Sequence, residues 1–158
     1  MQPMSTVIGL SVLDSSLYIP ELRPRRKDSA LQEMVARAHQ AGVVREPDLL
    51  LATLTLRERL GSTAVGKAVA VPHARSLLVL DPHLVVARSR RGIDWGAADD
   101  IPVQIALLVL SPAEFSDETH HEFIARAVGA VRLQRNRQRL LAAEDFEAVV
   151  TLLREVSP

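Results

Sequence analysis

From Leu31 onward the apolar residues Leu31, Met34, Val35 and Ala38 recur at helical spacing. They follow a Ser29 and Gln32 pair at capping-box spacing and precede Gly42, which is placed to stop the helix in a left-handed cap. A second helix is predicted from Pro47, a residue suited to a first helical turn, with Leu50, Leu51, Leu54 and Leu60 as its apolar stripe and Gly61 at its end. The period then changes. Ser62 to Gly66 reads as a loop, and Ala68 to Val71 as a short buried strand that Pro72 ends, because proline cannot donate to a ladder. Leu84 to Ser89 is predicted as the next strand, followed by a turn at Gly92 and a short piece carrying Ile93 and Trp95. Ile101 to Leu110 is almost continuously apolar, the pattern of a central strand covered on both faces. Asp117 opens a further helix whose buried stripe is Phe123, Ile124, Ala127, Val128 and Val131, with His120 one turn earlier on the same face. A last helix from about Asp145 turns Phe146, Val149, Val150 and Leu153 inward. The first 27 residues mix apolar pairs with Pro20, Pro24 and the basic cluster Arg23, Arg25, Arg26 and Lys27, and are predicted to form a short strand and then a solvated loop.

Helices lead, strands occupy the middle and helices return. This order predicts an α/β fold: a single-domain sandwich with a mixed central β-sheet covered by helices. At 158 residues the chain has the usual size of one domain, expected to span 1–158.

Composition removes several function classes. With 19 basic and 19 acidic residues the net charge is zero, so no whole-chain field draws the protein to nucleic acid or anionic lipid. Five aromatics leave the core to aliphatic side chains and provide no ladder for stacking single-stranded bases. The absence of cysteine excludes disulfides, zinc ribbons and thiol nucleophiles and suits a reducing compartment. Met1 to Leu13 lacks the pattern of a secretory signal, and the apolar run Ile101 to Leu110 is too short to span a bilayer and contains Pro102 and Gln104. A cytoplasmic protein without nucleic-acid partner or membrane insertion is expected.

Of the five histidines, His39 falls mid-helix and His83 in a Pro-flanked loop, and both read as structural or exposed. His73 stands directly after a rigid proline at the end of a buried strand, a placement that fixes an imidazole while leaving one edge open. Near its ordinary pKa of about 6.5 such a ring is largely neutral at pH 7 and keeps a lone pair for nucleophilic attack. On placement alone, a histidine after proline is more often an ordinary loop residue. A metal site built from His73, His120, His121 and Glu122 lacks an HExxH spacing or a cysteine pair, so neither metal nor cofactor is expected. Arg132, Arg135, Arg137 and Arg139 read as a polar helix end or solvated turn, or as a surface for an acidic protein partner.

The stretch from Arg57 to Arg75, which contains Arg57-Glu58, Gly61-Ser62-Thr63-Ala64-Val65-Gly66 and Ala70-Val71-Pro72-His73, resembles the active-site segment of the enzyme IIA family of the phosphotransferase system, of the fructose, mannitol and nitrogen-regulatory type. Arg91-Gly92-Ile93-Asp94-Trp95 followed by Ile101-Pro102-Val103 extends the likeness, which covers residues 28–153. The resemblance implies an enzyme IIA mannitol/fructose-like fold and a phosphotransferase in which His73 accepts a phosphoryl group from an HPr- or NPr-like histidine phosphocarrier. It implies a supporting role for the second histidine, His120, in preference to His121, because His120 shares the buried face of Ile124 and Ala127. It assigns phosphoryl stabilisation to Arg57, which on its own would read as a surface ion-pair partner, and oxygen binding to Ser62 and Thr63, which otherwise simply form the turn. Arg75 is a weaker candidate, since in an extended chain it could point away. Ala68 departs from the family pattern, where glycine is common, and this matters if the position needs a positive φ. Nothing in the sequence resembles a IIB or IIC segment, so a nitrogen-regulatory role is expected ahead of a sugar-transport one. Regulatory protein targets or a IIB domain are the implied further partners, and a phosphate-independent binding module is the third reading.

Overall fold

The structure, a computed structural model, describes residues 12–156. Of the first 27 residues, expected to form a short strand and then a loop, residues 1–11 lie outside the described residues, and the rest holds the short strand Tyr18–Ile19 and the stretch that leads to Lys27. The elements are β1 (Tyr18–Ile19), α1 (Lys27–Gln40), α2 (Pro47–Leu60), β2 (Ala64–Gly66), β3 (Val69–Ala70), β4 (His73–Ser76), β5 (His83–Ile93), β6 (Val103–Pro112), α3 (Asp117–Ala130), α4 (Gln134–Ala142) and α5 (Phe146–Val156).

Among the described residues the sheet has six strands in the order β1-β5-β6-β3-β2, with β4 also paired to β6. It is mixed, as expected: β5 and β6 run antiparallel, whereas β3 and β4 lie parallel to β6. The apolar run of β6 is central because both its faces are covered. Ile105, Leu107 and Val109 pack with Phe123 and Ala127 of α3 and Val149 and Leu153 of α5. The alternate residues Ala106, Leu108 and Leu110 pack with Leu31 and Met34 of α1 and Leu50 and Leu54 of α2.

Several local expectations are corrected. Helix α1 starts two residues before the capping-box serine, and its N-cap, Arg26, makes no side-chain cap. The Lys27 N–H donates instead to the Asp94 carbonyl at 3.2 Å, a tertiary partner that spacing cannot reveal. In α2 the buried row is Leu50, Leu54 and Glu58, whereas Leu60 is 86% exposed. The segment read as a loop before Gly66 contains strand β2. Gly92 does not turn the chain. Strand β5 continues to Ile93 through a register shift, and a Cβ at Gly92, where φ is +85°, would lie 2.6 Å from the Pro102 Cβ. His83 opens β5 rather than sitting in a loop. The arginine-rich segment forms its own helix, α4, whose C-terminal carbonyls at Leu140, Leu141 and Ala143 accept from the buried Arg88 guanidinium.

Lys67 and Ala68, the two residues joining β2 to β3, have φ of 57° and 67°, the left-handed geometry of a primed hairpin turn. The Ala68 carbonyl accepts from the N–H groups of both Gln104 and Ile105, so the sheet holds alanine in a conformation it disfavours. Ala68→Gly is expected to raise unfolding stability by about 1 kcal/mol, read as a higher denaturation midpoint at unchanged slope.

Candidate active site

His73 opens β4 directly after Pro72, whose carbonyl accepts from the Val109 N–H at 2.9 Å and so locks the junction to the central strand. The ring is half-buried, and its Nδ1 lies 2.9 Å from the Val71 carbonyl oxygen. A carbonyl only accepts, so Nδ1 carries the proton and Nε2 keeps the lone pair. Burial lowers the pKa of His73, with the Arg57 charge acting the same way and the Val71 hydrogen bond opposing it. The ring is therefore neutral at pH 7.

The His120 ring centroid lies 5.6 Å from that of His73, with the planes tilted by 60°. His120 is buried on the first turn of α3, and its Nδ1 lies 2.7 Å from the hydroxyl oxygen of the fully buried Ser111 at the end of β6. His121 is exposed, its ring 6.0 Å from that of His120. The helix start is fixed by Ser116, whose hydroxyl accepts from the Thr119 N–H at 3.1 Å. Arg75 does not point away. Two residues along β4 from His73, it shares that residue's side of the strand, donates to the Phe115 carbonyl at 2.9 Å and pairs with Asp117 at 2.7 Å, beside His120.

Burial, reinforced by the charges of His73, His121 and Arg75, pushes His120 down to about 4. The unfolded chain binds a proton at this histidine from about pH 6.5 downward, while the folded chain resists until about pH 4. Stability is therefore lost as pH falls through that window, by up to about 3 kcal/mol from this residue. Urea denaturation across the window is expected to show the loss, and His120→Gln to flatten it.

Arg57, whose charge acts on His73, lies in the last turn of α2 and donates to the Gly61 carbonyl at 2.7 Å. Ser62 is exposed; its hydroxyl accepts from the Ala64 N–H at 3.1 Å and donates to the Trp95 carbonyl at 3.4 Å. Thr63 is buried, and its hydroxyl donates to the Glu58 carboxylate and accepts from Trp95 Nε1 at 3.3 Å. That hydroxyl is already engaged inside the protein, whereas Ser62 remains open to solvent. Sequence reasoning missed Glu58 and Ser111. Glu58 was detectable as the third member of the i, i+4 row begun by Leu50 and Leu54, while Ser111 left no pattern.

A helix-covered mixed sheet that brings two imidazoles together at a strand end, with the charge of Arg57 acting on one ring and that of Arg75 on the other, defines a paired-histidine α/β sandwich. The family described as "Phosphoenolpyruvate-dependent sugar phosphotransferase system, EIIA 2" matches residues 11–156, and the chain belongs to it. The chain is 33% identical over 153 residues to the PTS system fructose-specific EIIA component of Haloferax volcanii, covering 97% of this chain and 96% of that one. It is also 33% identical over 135 residues to a nitrogen regulatory protein of Bradyrhizobium diazoefficiens, covering 85% and 87%. The crystal structure of the nitrogen regulatory protein IIA-Ntr from Neisseria meningitidis superposes with a TM-score of 0.83 at 24% identity, over 90% of this chain and 97% of that one, and shows the same fold. Among the described residues no helix is long and apolar enough to cross a membrane.

Proposed function

We propose that this protein accepts a phosphoryl group on Nε2 of His73 from an HPr- or NPr-like histidine phosphocarrier in the cytoplasm and passes it on. The observation that carries this reading is the Nδ1 contact with the Val71 carbonyl, which leaves Nε2 as the nucleophilic nitrogen of a ring that burial keeps neutral. In the transfer a new P–N bond forms to His73 Nε2 as the P–N bond to the carrier's imidazole breaks, and that imidazole leaves with the electron pair. The protein's part is positioning and charge stabilisation. A neutral His120 supports the phosphoryl oxygens as a hydrogen-bond donor when the Ser111 hydroxyl donates to its Nδ1 and holds the ring proton on Nε2. Arg57 can keep one N–H on Gly61 and turn the rest of its guanidinium to the phosphoryl oxygens, with Ser62 as a solvent-exposed hydroxyl that would give up its long contact with the Trp95 carbonyl and Thr63 contributing through its loop.

The test is intact mass after incubation with enzyme I, phosphocarrier and phosphoenolpyruvate. One acid-labile phosphoryl increment supports the proposal; no increment with any carrier moves the reading to a phosphate-independent binding module. Equal identity to a sugar-specific and to a regulatory relative leaves the acceptor to separate the two roles. We carry forward the nitrogen-regulatory role. Retention of the phosphoryl group together with phosphorylation-dependent binding of a protein target supports that role. Discharge onto a fructose- or mannitol-type IIB domain marks the transport role instead.

A further inference from the structure

Glu58 is 6% exposed, and its carboxylate sits at the end of a continuous set of hydrogen bonds that terminates on the His73 ring. Its two oxygens accept the Thr63 N–H at 3.2 and 3.1 Å, and it also accepts the Thr63 hydroxyl. The Thr63 carbonyl accepts the Val71 N–H at 3.0 Å. The Val71 carbonyl in turn accepts Nδ1–H of His73 at 2.9 Å. Thr63 and Val71 are both buried, and each is held at its N–H or C=O by the next group in the set, so turning either residue breaks a hydrogen bond of the set.

We infer that Glu58 is a positioning residue for the phosphoacceptor: by gripping Thr63 it aims the Val71 carbonyl at Nδ1 and so sets the tautomer and orientation of His73. The inference rests on the phosphoacceptor reading of His73 given above. A purely structural role explains Glu58 less well. Burying a carboxylate is costly, its cationic neighbour Lys27 is 3.7 Å away, and an apolar residue would fill the Leu50, Leu54, Glu58 row of α2 without that cost. The carboxylate also accepts Trp95 Nε1–H at 3.2 Å, a donor it shares with the Thr63 hydroxyl at 3.3 Å; this contact lies outside the path from the Thr63 backbone to Val71 and provides a control.

The experiment compares the native chain, Glu58→Gln and Trp95→Phe. Two-bond proton–nitrogen spectra read the tautomer of His73, and single-turnover transfer from phosphorylated carrier reads the rate. The native chain is expected to hold His73 as the Nδ1–H form. Glu58→Gln is expected to mix the tautomers and to slow transfer about 10-fold. Trp95→Phe, which leaves the bonds from Glu58 through Thr63 to Val71 in place, is expected to lower stability without moving the tautomer. An unchanged tautomer in folded Glu58→Gln overturns the inference, and so does an equal change in Trp95→Phe, since that would mean general loosening of the loop. Should Glu58→Gln not fold, Glu58→Asp, which draws the carboxylate back from Thr63 by one methylene, is read by the same criteria. The tautomer is measured without any phosphoryl group, so failure of this inference is separable from failure of the transfer reading, in which the native chain takes no phosphoryl increment.

Discussion

His73→Gln is expected to abolish phosphoryl uptake while leaving the fold intact. The substitution removes the nucleophilic nitrogen and keeps an amide able to donate to the Val71 carbonyl, so the junction around Pro72 retains its hydrogen bonds. His120 is not a substitute nucleophile. Its ring is buried, its Nδ1 is engaged by Ser111, and its pKa near 4 makes it the less basic of two ordinary imidazoles. Intact mass after incubation with phosphorylated carrier should show no increment for His73→Gln, with circular dichroism and the thermal midpoint close to those of the native chain. An increment surviving in the variant would move the phosphoacceptor elsewhere, and peptide mapping at neutral or alkaline pH would locate it.

The second large effect is expected at His120. Replacing it with alanine removes a donor aimed at the charge that develops on the transferring phosphoryl group, in a site where burial makes such a donor strong. A loss of about 10²–10³ in transfer rate is expected, equivalent to about 3–4 kcal/mol of barrier. Because the carrier meets the outer surface and His120 is buried, the carrier concentration giving half-maximal rate should change little. His120→Gln keeps one N–H and should recover part of the rate. Rapid-quench single-turnover measurements over a range of carrier concentrations separate the two quantities. A rate within about threefold of native in His120→Ala would leave His120 as a packing residue only.

The fold class was readable because burial imposes periods on the sequence. The two-sided apolar run of β6 and the 3.6-residue stripes of α1, α3 and α5 follow directly from which faces are covered. Misreadings arose where a distant partner overrode a local signal. Asp94 drew the start of α1 to Lys27, pairing with β6 carried β5 past Gly92 through a register shift where a turn was expected, and Arg88 capped α4 from its place in β5. Short strands such as β2 and β4 carry too few residues for a two-residue period to emerge, and for that reason Arg75 was not seen to share a side with His73.

The sequence by itself determined an aliphatic-cored α/β domain, its family, and His73 as the candidate acceptor. Local order sufficed for these, since apolar periods and the contiguous Arg57 to Arg75 segment that carries the family resemblance are properties of neighbouring residues. Only the tertiary structure decided which nitrogen of His73 is free, which of His120 and His121 stands beside it, and that Glu58 is linked to its ring. The pairing of His73 with His120 joins groups far apart in the chain, and the bonds from Glu58 to the His73 ring depend on how a short, irregular stretch folds back on itself; one-dimensional spacing encodes neither.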